Sequence, residues 1–317
     1  MKSPLVVWQL ADGTPGHESQ SRGLIEALRR RVPLEQHAIN VAAMHGVFAS
    51  WMLSRFAPGR GRPRPDLLIG CGSRTHLPLL AAQRAAGGRT VLLMRPGLPV
   101  AWFDLCIIPE HDQIAPQANV IITRGVLNAV TAAPPSSDRD RRGLFLIGGP
   151  SRHHGWEEVR LCHQIQAVLR RERQRHWTLT TSRRTPQDFL DALASRLGPE
   201  ECARLTTIPA DETPQGWVAE QLAAVSAAFV TEDSVSMVYE SLTAGVAVGV
   251  LAMPRKGRSR VLVGLERLAA DGLVTFCNDF LATGELPPPA GPLAEADRCA
   301  DWIFDRLLAP ATRSRAA

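Results

Sequence analysis

The stretch AFVTEDSVSMVYESLTAGVAVGVL, residues 228–251, contains a strand, a helix and a second strand in chain order. The apolar runs at 228–231 and 246–251 are typical of buried strands, whereas 235–244 carries apolar residues at helical spacing. Gly245 ends the helix, as glycine often does. Because two parallel strands need a crossover of this kind, the stretch predicts an α/β fold with a parallel sheet.

The same alternation extends in both directions from this stretch. In the first part of the chain the predicted strands are 5–10, 36–41, 66–70, 90–94, 104–109 and 119–123. In the second part they are 144–147, 177–181, 205–208, 228–231 and 246–251. Repeated βα units of this kind predict two consecutive doubly wound domains.

The alternation breaks at TAAPPSSDRDRRG, which begins at residue 131. Its prolines, serines and charges predict a linker at 133–142 between a Rossmann-like domain at 1–132 and a second one at 143–317. A chain of 317 residues also exceeds the roughly 250 to 300 residues at which a single core stops growing. The last predicted helix, 297–308, is amphipathic and can pack on either domain.

Composition excludes several classes of protein. Hydrophobic residues make up 45% and charged residues 21% of the chain, which excludes a disordered protein. No apolar run approaches the ~20 residues of a membrane-spanning helix, and the N-terminal stretch becomes polar too early for a secretory signal, so we expect a cytoplasmic protein. The net charge of +5 comes mainly from scattered arginines, which suit a phosphate ligand better than a nucleic acid.

Ligands of open parallel sheets bind beyond the carboxyl ends of the strands, so the candidate site residues are those in the loops that follow strands. In the N-terminal domain the candidates are Asp12, Gly13, Gly16, His17, Gly72, Ser73 and Arg74. Their glycines permit close backbone approach, and the helix starts offer free N–H groups. An Asx turn with a helix cap explains the first loop equally well.

In the C-terminal domain the candidates are Gly148, Gly149, Ser151, Arg152, Ser182, Arg183, Arg184, Asp233, Ser234, Ser236, Met237 and Glu240. Glycines, hydroxyls and arginines beside helix starts suit a diphosphate, and a carboxylate about two turns into a helix can accept ribose hydroxyls. The alternative is that the arginines are solvated and that Asp233 or Ser234 caps a helix. His153 and His154 are adjacent and point apart, so no metal site is expected.

As a set, these segments resemble the mitochondrial fission "elongated mitochondria" family and its bacterial homologues. The matching pieces are DGTPGHESQSRGLIEAL at 12–28, GGPSRHHGW at 148–156, TTSRRTP at 180–186 and VTEDSVSMVYESLTAGVAVGVL at 230–251. The first and last pieces are also similar to the peptidoglycan glycosyltransferase that adds N-acetylglucosamine to a lipid-linked precursor. The resemblance implies GT-B architecture, in which two Rossmann-like domains turn their parallel sheets toward a central cleft.

The resemblance also implies roles for single residues. Gly16 and His17 would lie on the acceptor side, and Ser234, Ser236 and Glu240 would hold the donor nucleotide. The implied activity is metal-independent sugar transfer from a nucleoside diphosphate sugar to an unidentified acceptor, lipid-linked or in the cell envelope, with the nucleotide-sugar as substrate and no separate cofactor.

The catalytic candidates are His17 and Asp12. His17 is the candidate base, because imidazole titrates near pH ~6.5. His76, Glu110 and Asp112 are weaker candidates. Two other functions fit the same fold: a non-catalytic scaffold, since plant members of the family recruit fission machinery, and a nucleotide-sugar epimerase. A Rossmann dehydrogenase is disfavoured because no G-x-G-x-x-G follows the first strand.

One segment bears on membranes. Apolar residues recur at helical spacing before a run of arginines: Met44, Val47, Phe48, Trp51, Met52 and Phe56, then Arg55, Arg60, Arg62 and Arg64. Such a helix either rests peripherally on an anionic membrane or packs on its own sheet. Of these two alternatives, the sequence favours packing on the sheet.

Overall fold

A computed structural model of the chain describes residues 3–132, 137–257 and 260–308. The described residues form two compact units. The first comprises Met1–Ala129 together with Ala294–Ala317, and the second comprises Val130–Leu293. Among the described residues, each unit contains one parallel sheet of six strands, which confirms the predicted α/β class.

The first unit contains the strands Leu5–Ala11 (β1), Leu34–Asn40 (β2), Leu67–Cys71 (β3), Arg89–Leu93 (β4), Leu105–Pro109 (β5) and Val120–Thr123 (β6). Its helices are Pro15–Arg29 (α1), Val47–Met52 (α2) and His76–Ala86 (α3). The strand order is β2-β1-β3-β4-β5-β6. The order reverses between β1 and β3, and such switch points leave a crevice at the carboxyl ends of the two strands.

The second unit begins with the helix Ser137–Asp140 (α4). Its strands are Arg142–Leu146 (β7), His176–Thr180 (β8), Leu205–Ile208 (β9), Ala227–Thr231 (β10), Ala247–Leu251 (β11) and Val274–Phe276 (β12). Its other helices are Glu158–Arg171 (α5), Phe189–Ala194 (α6), Pro199–Cys202 (α7), Trp217–Ala224 (α8), Val235–Thr243 (α9), Arg260–Ala270 (α10) and Cys277–Thr283 (α11). The order β12-β11-β10-β7-β8-β9 puts the switch point between β7 and β10.

The C-terminal segment packs on the first unit. It forms the helix Glu295–Trp302 (α12), followed by a π-helical turn. Cys299 and Ile303 are fully buried in the same core as α1. Arg31, near the end of α1, donates to Asp297 at 2.7 Å and to Asp301 at 2.6 Å. Apolar burial and these ion pairs decide the packing that the amphipathic pattern left open, and the unit bounds therefore differ from the predicted 143–317.

Three further features differ from the sequence expectations. Helix α1 begins at Pro15, because proline suits the first helical position, so Gly16 and His17 lie in its first turn and not in the preceding loop, where they are predicted. Strand β12 is absent from the prediction because it has only three residues. Of the predicted linker, residues 133–136 lie outside the described residues, and α4 and β7 begin within the remainder.

No helix in the described ranges combines the length and the apolar composition required to cross a bilayer.

Candidate functional site

The loop after β1 and the first turn of α1 hold a carboxylate and an imidazole in contact. Asp12 is almost completely buried, and its Oδ2 atom lies 2.9 Å from Nδ1 of His17. The Thr14 N–H donates to Oδ1 at 3.0 Å. Burial raises the pKa of Asp12, but the hydrogen bonds with His17 and Thr14 outweigh it and hold that pKa below its ordinary value. The ionised carboxylate is an acceptor for an N–H at Nδ1 of His17.

Glycines shape the backbone around this pair. Gly72 follows β3 with φ +82°, and a Cβ atom there would lie 2.3 Å from Cε1 of the His17 ring. Gly13 also has a positive φ, +78°, whereas a Cβ atom at Gly16 would meet nothing within 4 Å. Gly72 therefore provides the surface against which the imidazole lies, and Gly16 has no such role.

The other candidates of the first unit lie at the same end of the sheet. Ser73 and Arg74 are exposed in a 3-10 turn that directly follows Gly72. His76 is buried at the start of α3; burial lowers its pKa, and its Nε2 atom has no hydrogen-bond partner among the described residues. Glu110 and Asp112 lie in a 3-10 turn after β5. Of the two candidate histidines, His17 is the one with a carboxylate partner.

The second unit contains an open cavity of about 870 Å³ at the carboxyl ends of its strands. The lining residues come from the loops after β7, β8 and β10 and from the start of α9: Ser151, Arg152, His153, His154, Ser182, Arg183, Arg184, Asp233, Ser234, Val235, Ser236 and Met237. The cavity thus brings together most of the predicted donor-side residues. Gly148, Gly149 and Glu240 are outside this lining.

The fully buried carboxylate of Asp233 ties two of these loops together. Its Oδ2 atom accepts from Nη2 of Arg184 at 2.7 Å, from the Gly149 N–H at 3.1 Å and from the Ser234 hydroxyl at 3.1 Å. Nη1 of Arg184 donates in turn to the Gly149 carbonyl at 2.9 Å. A buried carboxylate needs such partners. Arg184 therefore supports the cavity wall, since its guanidinium is already occupied by protein groups.

Gly148 and Gly149 allow the loop after β7 to approach these groups closely. A Cβ atom at Gly148 would lie 2.2 Å from Oγ of Ser234, and one at Gly149 would lie 2.2 Å from a backbone carbonyl oxygen of the loop after β8. The Gly148 N–H donates to Oγ1 of Thr231 at 2.7 Å. The Gly149 N–H donates to Asp233, so both glycine N–H groups are bonded within the protein. The two glycines shape the site; the expected direct amide contacts to a diphosphate are not available in this arrangement.

Other cationic and polar groups remain available to a ligand. Arg152 and Arg183 are exposed and form no ion pair with any residue in the described ranges. Ser236 is exposed in the first turn of the nine-residue helix α9. The first N–H groups of a helix have no intrahelical partners and carry the positive end of its dipole. The cavity therefore offers two guanidinium groups, a hydroxyl and helix amides to an anion.

Glu240 lies one helical turn beyond Ser236 on the same face of α9. Its carboxyl group is partly buried, and burial raises its pKa to about 7. Within the described residues no side chain or N–H donates a hydrogen bond to it. Such a carboxylate is an available acceptor for ligand hydroxyls.

A second open cavity, of about 820 Å³, lies between the loops after β8 and β9. It shares Ser182 and Arg183 with the first cavity. Thr185 braces this region, because its Oγ1 atom accepts from the Ser182 N–H at 2.8 Å and donates to the Gly148 carbonyl. The two neighbouring cavities suit an elongated ligand better than a single phosphate.

Sequence reasoning missed a buried carboxylate and its partners. Glu232 is buried, and Nε of Arg255 donates to it at 2.8 Å. The backbone of Arg255 pairs with that of His154, and Nζ of Lys256 donates to the Ser151 carbonyl at 2.9 Å. The loop after β11 therefore fixes the loop after β7. Its signal in the sequence is the basic run PRKG at 254–257, two residues beyond the predicted strand 246–251.

Across residues 3–132, 137–257 and 260–308, no three His, Cys, Asp or Glu side chains are arranged to hold a metal ion.

Solved structures with the same fold cover nearly the whole chain. A Listeria monocytogenes protein assigned as a UDP-N-acetylglucosamine 2-epimerase has a TM-score of 0.57 at 13% identity, over 96% of this chain and 97% of that chain. The calicheamicin glycosyltransferase CalG4 has a TM-score of 0.51 at 14% identity, over 98% and 100%. Staphylococcus aureus MnaA with UDP has a TM-score of 0.50 at 12% identity, over 96% and 97%. Identities this low establish the fold alone.

The fold is thus of the GT-B glycosyltransferase type, as expected from the sequence. The sequence profile described as Mitochondrial fission ELM1 matches residues 15–307, and the chain belongs to this family. This match confirms the resemblance found in the sequence segments. No curated protein matches the chain in a sequence search.

Proposed function

We propose that this protein is a metal-independent glycosyltransferase that moves a sugar from a nucleoside diphosphate sugar to a hydroxyl group of an acceptor. The observation that carries the proposal is the cavity of the second unit. There Arg152, Arg183 and Ser236 meet the free amides of α9 around a volume of about 870 Å³. This set of groups is suited to a diphosphate.

In the proposed reaction, the acceptor oxygen forms a bond to the anomeric carbon while the bond from that carbon to the diphosphate oxygen breaks. The electron pair leaves with the diphosphate. Arg152, Arg183 and the helix amides stabilise the charge that develops on it, which is the contribution that fixed donors make to transition states. The donor ribose, following the family resemblance, binds through its hydroxyls to Glu240.

The acceptor hydroxyl must lose its proton. We propose that Nε2 of His17 takes it, and that Asp12 is a positioning residue that keeps Nδ1 protonated and stabilises the imidazolium. The 2.9 Å contact between the two side chains supports these roles. Each unit thus supplies one part of the chemistry: proton acceptance in the first and donor binding in the second.

The acceptor class is part of the same proposal. We infer that it is lipid-linked or belongs to the cell envelope, and that the protein works at the cytoplasmic face of a membrane through peripheral contact. The apolar and basic segment that follows β2 supports this placement.

The first experiment is a thermal-shift panel of UDP, GDP, ADP, CMP and their sugar conjugates. A ligand at 100 times its dissociation constant adds about 2.7 kcal/mol to the stability of the state it binds, which raises Tm by several degrees. We expect one nucleotide class to raise Tm in the wild type, to lose this effect in Glu240→Ala and to keep about half of it in Arg183→Ala. Arg173→Ala, an exposed arginine of the second unit outside the cavity, is the matched control.

Two outcomes would replace the proposal. No shift with any nucleotide would favour a scaffold without a ligand. A nucleotide-sugar that binds and is converted to its epimer without an added acceptor, detected by NMR, would establish an epimerase instead.

A further inference from the structure

Four large apolar side chains are exposed on one surface of the first unit. The exposed fractions are 61% for Phe48, 55% for Met52, 62% for Leu53 and 44% for Trp102. Single exposed apolar residues are ordinary, whereas clusters of them mark interaction sites. The other exposed large apolar side chains in the described ranges are Ile122 and Val159, on β6 and α5.

Ring contacts join these side chains into one surface. The Phe48 ring centroid lies 5.7 Å from that of Trp51, and Trp51 stacks on Trp102 at 5.9 Å with an interplanar angle of 23°. The guanidinium of Arg84 lies 5.9 Å from the Trp51 ring, and its Nε donates to Ser54 at 3.0 Å. Helix α2 and the turn at 100–102 therefore present a continuous aromatic face that carries a cation.

The apolar residues at helical spacing between Met44 and Phe56 differ in their burial. Phe56 is buried and stacks on Trp8 at 6.1 Å, which anchors the segment to the sheet. In contrast, no residue of α2 is buried. Packing on the sheet therefore explains Phe56 and leaves Phe48 and Met52 outward.

The charges in the chain segment around α2 have one sign. Arg55, Arg60, Arg62 and Arg64 follow Leu53 closely in the chain, are exposed, and form no ion pair with any residue that the structure describes. Residues 41–65 contain no Asp or Glu. A second copy of the chain is a poor occupant, because a two-fold contact would bring these arginines against one another.

We propose that this aromatic–basic surface, formed by Phe48, Trp51, Met52, Leu53, Trp102 and the arginines at 55, 60, 62, 64 and 84, docks on an anionic phospholipid bilayer. The apolar tips enter the boundary between headgroups and acyl chains, and the arginines contact lipid phosphates. The inference deepens the membrane contact of the proposed function and does not depend on donor binding.

The test is co-sedimentation of the full-length chain with vesicles of phosphatidylcholine alone and of phosphatidylcholine mixed with phosphatidylglycerol. We expect binding to the mixed vesicles, weakened by salt, because each arginine near an anionic surface contributes about fivefold in affinity. Phe48→Ser with Leu53→Ser, and separately Arg60→Glu with Arg62→Glu, should each lower binding at least about tenfold.

The matched controls are Ile122→Ser with Val159→Ser and Arg173→Glu with Arg267→Glu, which change exposed apolar and basic residues elsewhere and should bind as the wild type does. Equal binding of wild type and surface variants, or no binding to mixed vesicles, overturns the proposal. A dimer in sedimentation velocity that Phe48→Ser with Leu53→Ser dissociates would assign the surface to a second copy. Nucleotide-induced thermal shifts, measured on the same variants, separate this failure from failure of the donor site.

Discussion

The loops that follow the first strand of each unit look alike in sequence and differ in chemistry. Both contain glycines and at least one histidine after a strand, at residues 12–17 and 148–156. In the first, a buried carboxylate holds an imidazole. In the second, a buried carboxylate from a neighbouring loop, that of Asp233, accepts from the Gly149 N–H and from Arg184.

The difference follows from what each carboxylate faces. Asp12 pairs with a group that can exchange a proton, so its loop is suited to acid–base chemistry. Asp233 is bonded to Arg184 and the Gly149 N–H, so it fixes the wall of a cavity in which Arg183 and Ser236 are left for an anionic ligand. Under the proposed function, the first loop takes the acceptor proton and the second contributes to donor binding, and substitutions in each loop test these roles.

The largest effect is expected from His17→Ala. Removal of a general base lowers kcat by about 10²- to 10⁴-fold, whereas nucleotide binding should not change because the donor groups belong to the second unit. The measurement is nucleoside diphosphate release from the identified donor, with binding followed by thermal shift. Equal losses of binding and turnover would contradict the base assignment.

Asp12→Asn is the matched variant for the positioning role. The amide keeps the shape of the side chain but removes the charge that stabilises the imidazolium, so we expect a smaller loss of kcat and an altered pH profile. An unchanged pH profile would limit Asp12 to a structural role.

The next effect distinguishes two adjacent arginines. Arg184→Ala leaves the buried Asp233 carboxylate without its counter-charge and should lower the free energy of unfolding by about 2–4 kcal/mol. Arg183→Ala removes an exposed, unpaired side chain, so stability should change by less than about 0.5 kcal/mol while nucleotide affinity falls about tenfold. Urea denaturation and nucleotide titration measure the two quantities. Equal destabilisation by both substitutions would remove the distinction.

Added methyl groups test the close contacts in both loops. Gly148→Ala should cost about 1–3 kcal/mol of stability and weaken nucleotide binding, because its Cβ would lie 2.2 Å from Ser234. Gly72→Ala should lower turnover as well as stability, because its Cβ would displace the His17 ring and because alanine is strained at a φ of +82°. Melting curves, nucleotide titration and turnover on the two variants give the comparison.

Gly16→Ala is the control for both, since nothing lies within 4 Å of its Cβ position and alanine favours helices. A loss of stability in Gly16→Ala equal to that of the other two would show that the effect is not one of close packing.

The smallest effect concerns pH. The pKa of Glu240 is raised by burial to about 7, above the 4.5 of an unperturbed glutamate. Between these values the folded state holds a proton that the unfolded state has lost, so stability falls as pH rises through this window. We expect Glu240→Gln to remove this fall and to be more stable than wild type at pH ~8 by about 1–2 kcal/mol. Parallel pH profiles of the two proteins would contradict the shift.

Sequence reasoning found the loops more reliably than the role of each residue in them. Arg183 and Arg184 are adjacent and are equivalent candidates in the sequence. In the structure Arg184 binds Asp233, whereas Arg183 faces solvent. The partner of Arg184 lies 49 positions away in the chain, so no local pattern reports it. Gly16 and His17 lie in α1 and not in the loop before it for a different reason: Pro15 permits a helix before the first apolar repeat begins.

By itself, the sequence determined the α/β class, the strands of both sheets except β12, and the loops that hold polar groups, because apolar periodicity and glycine positions are local properties. The tertiary structure decided which of those polar groups are available. The Gly148 and Gly149 N–H groups donate to Thr231 and Asp233, respectively, and Asp12 contacts His17. Phe48 is exposed, whereas Phe56 is buried. The bonds of the two glycine amides depend on β7 lying beside β10, and that strand order is set by the packing of the whole sheet.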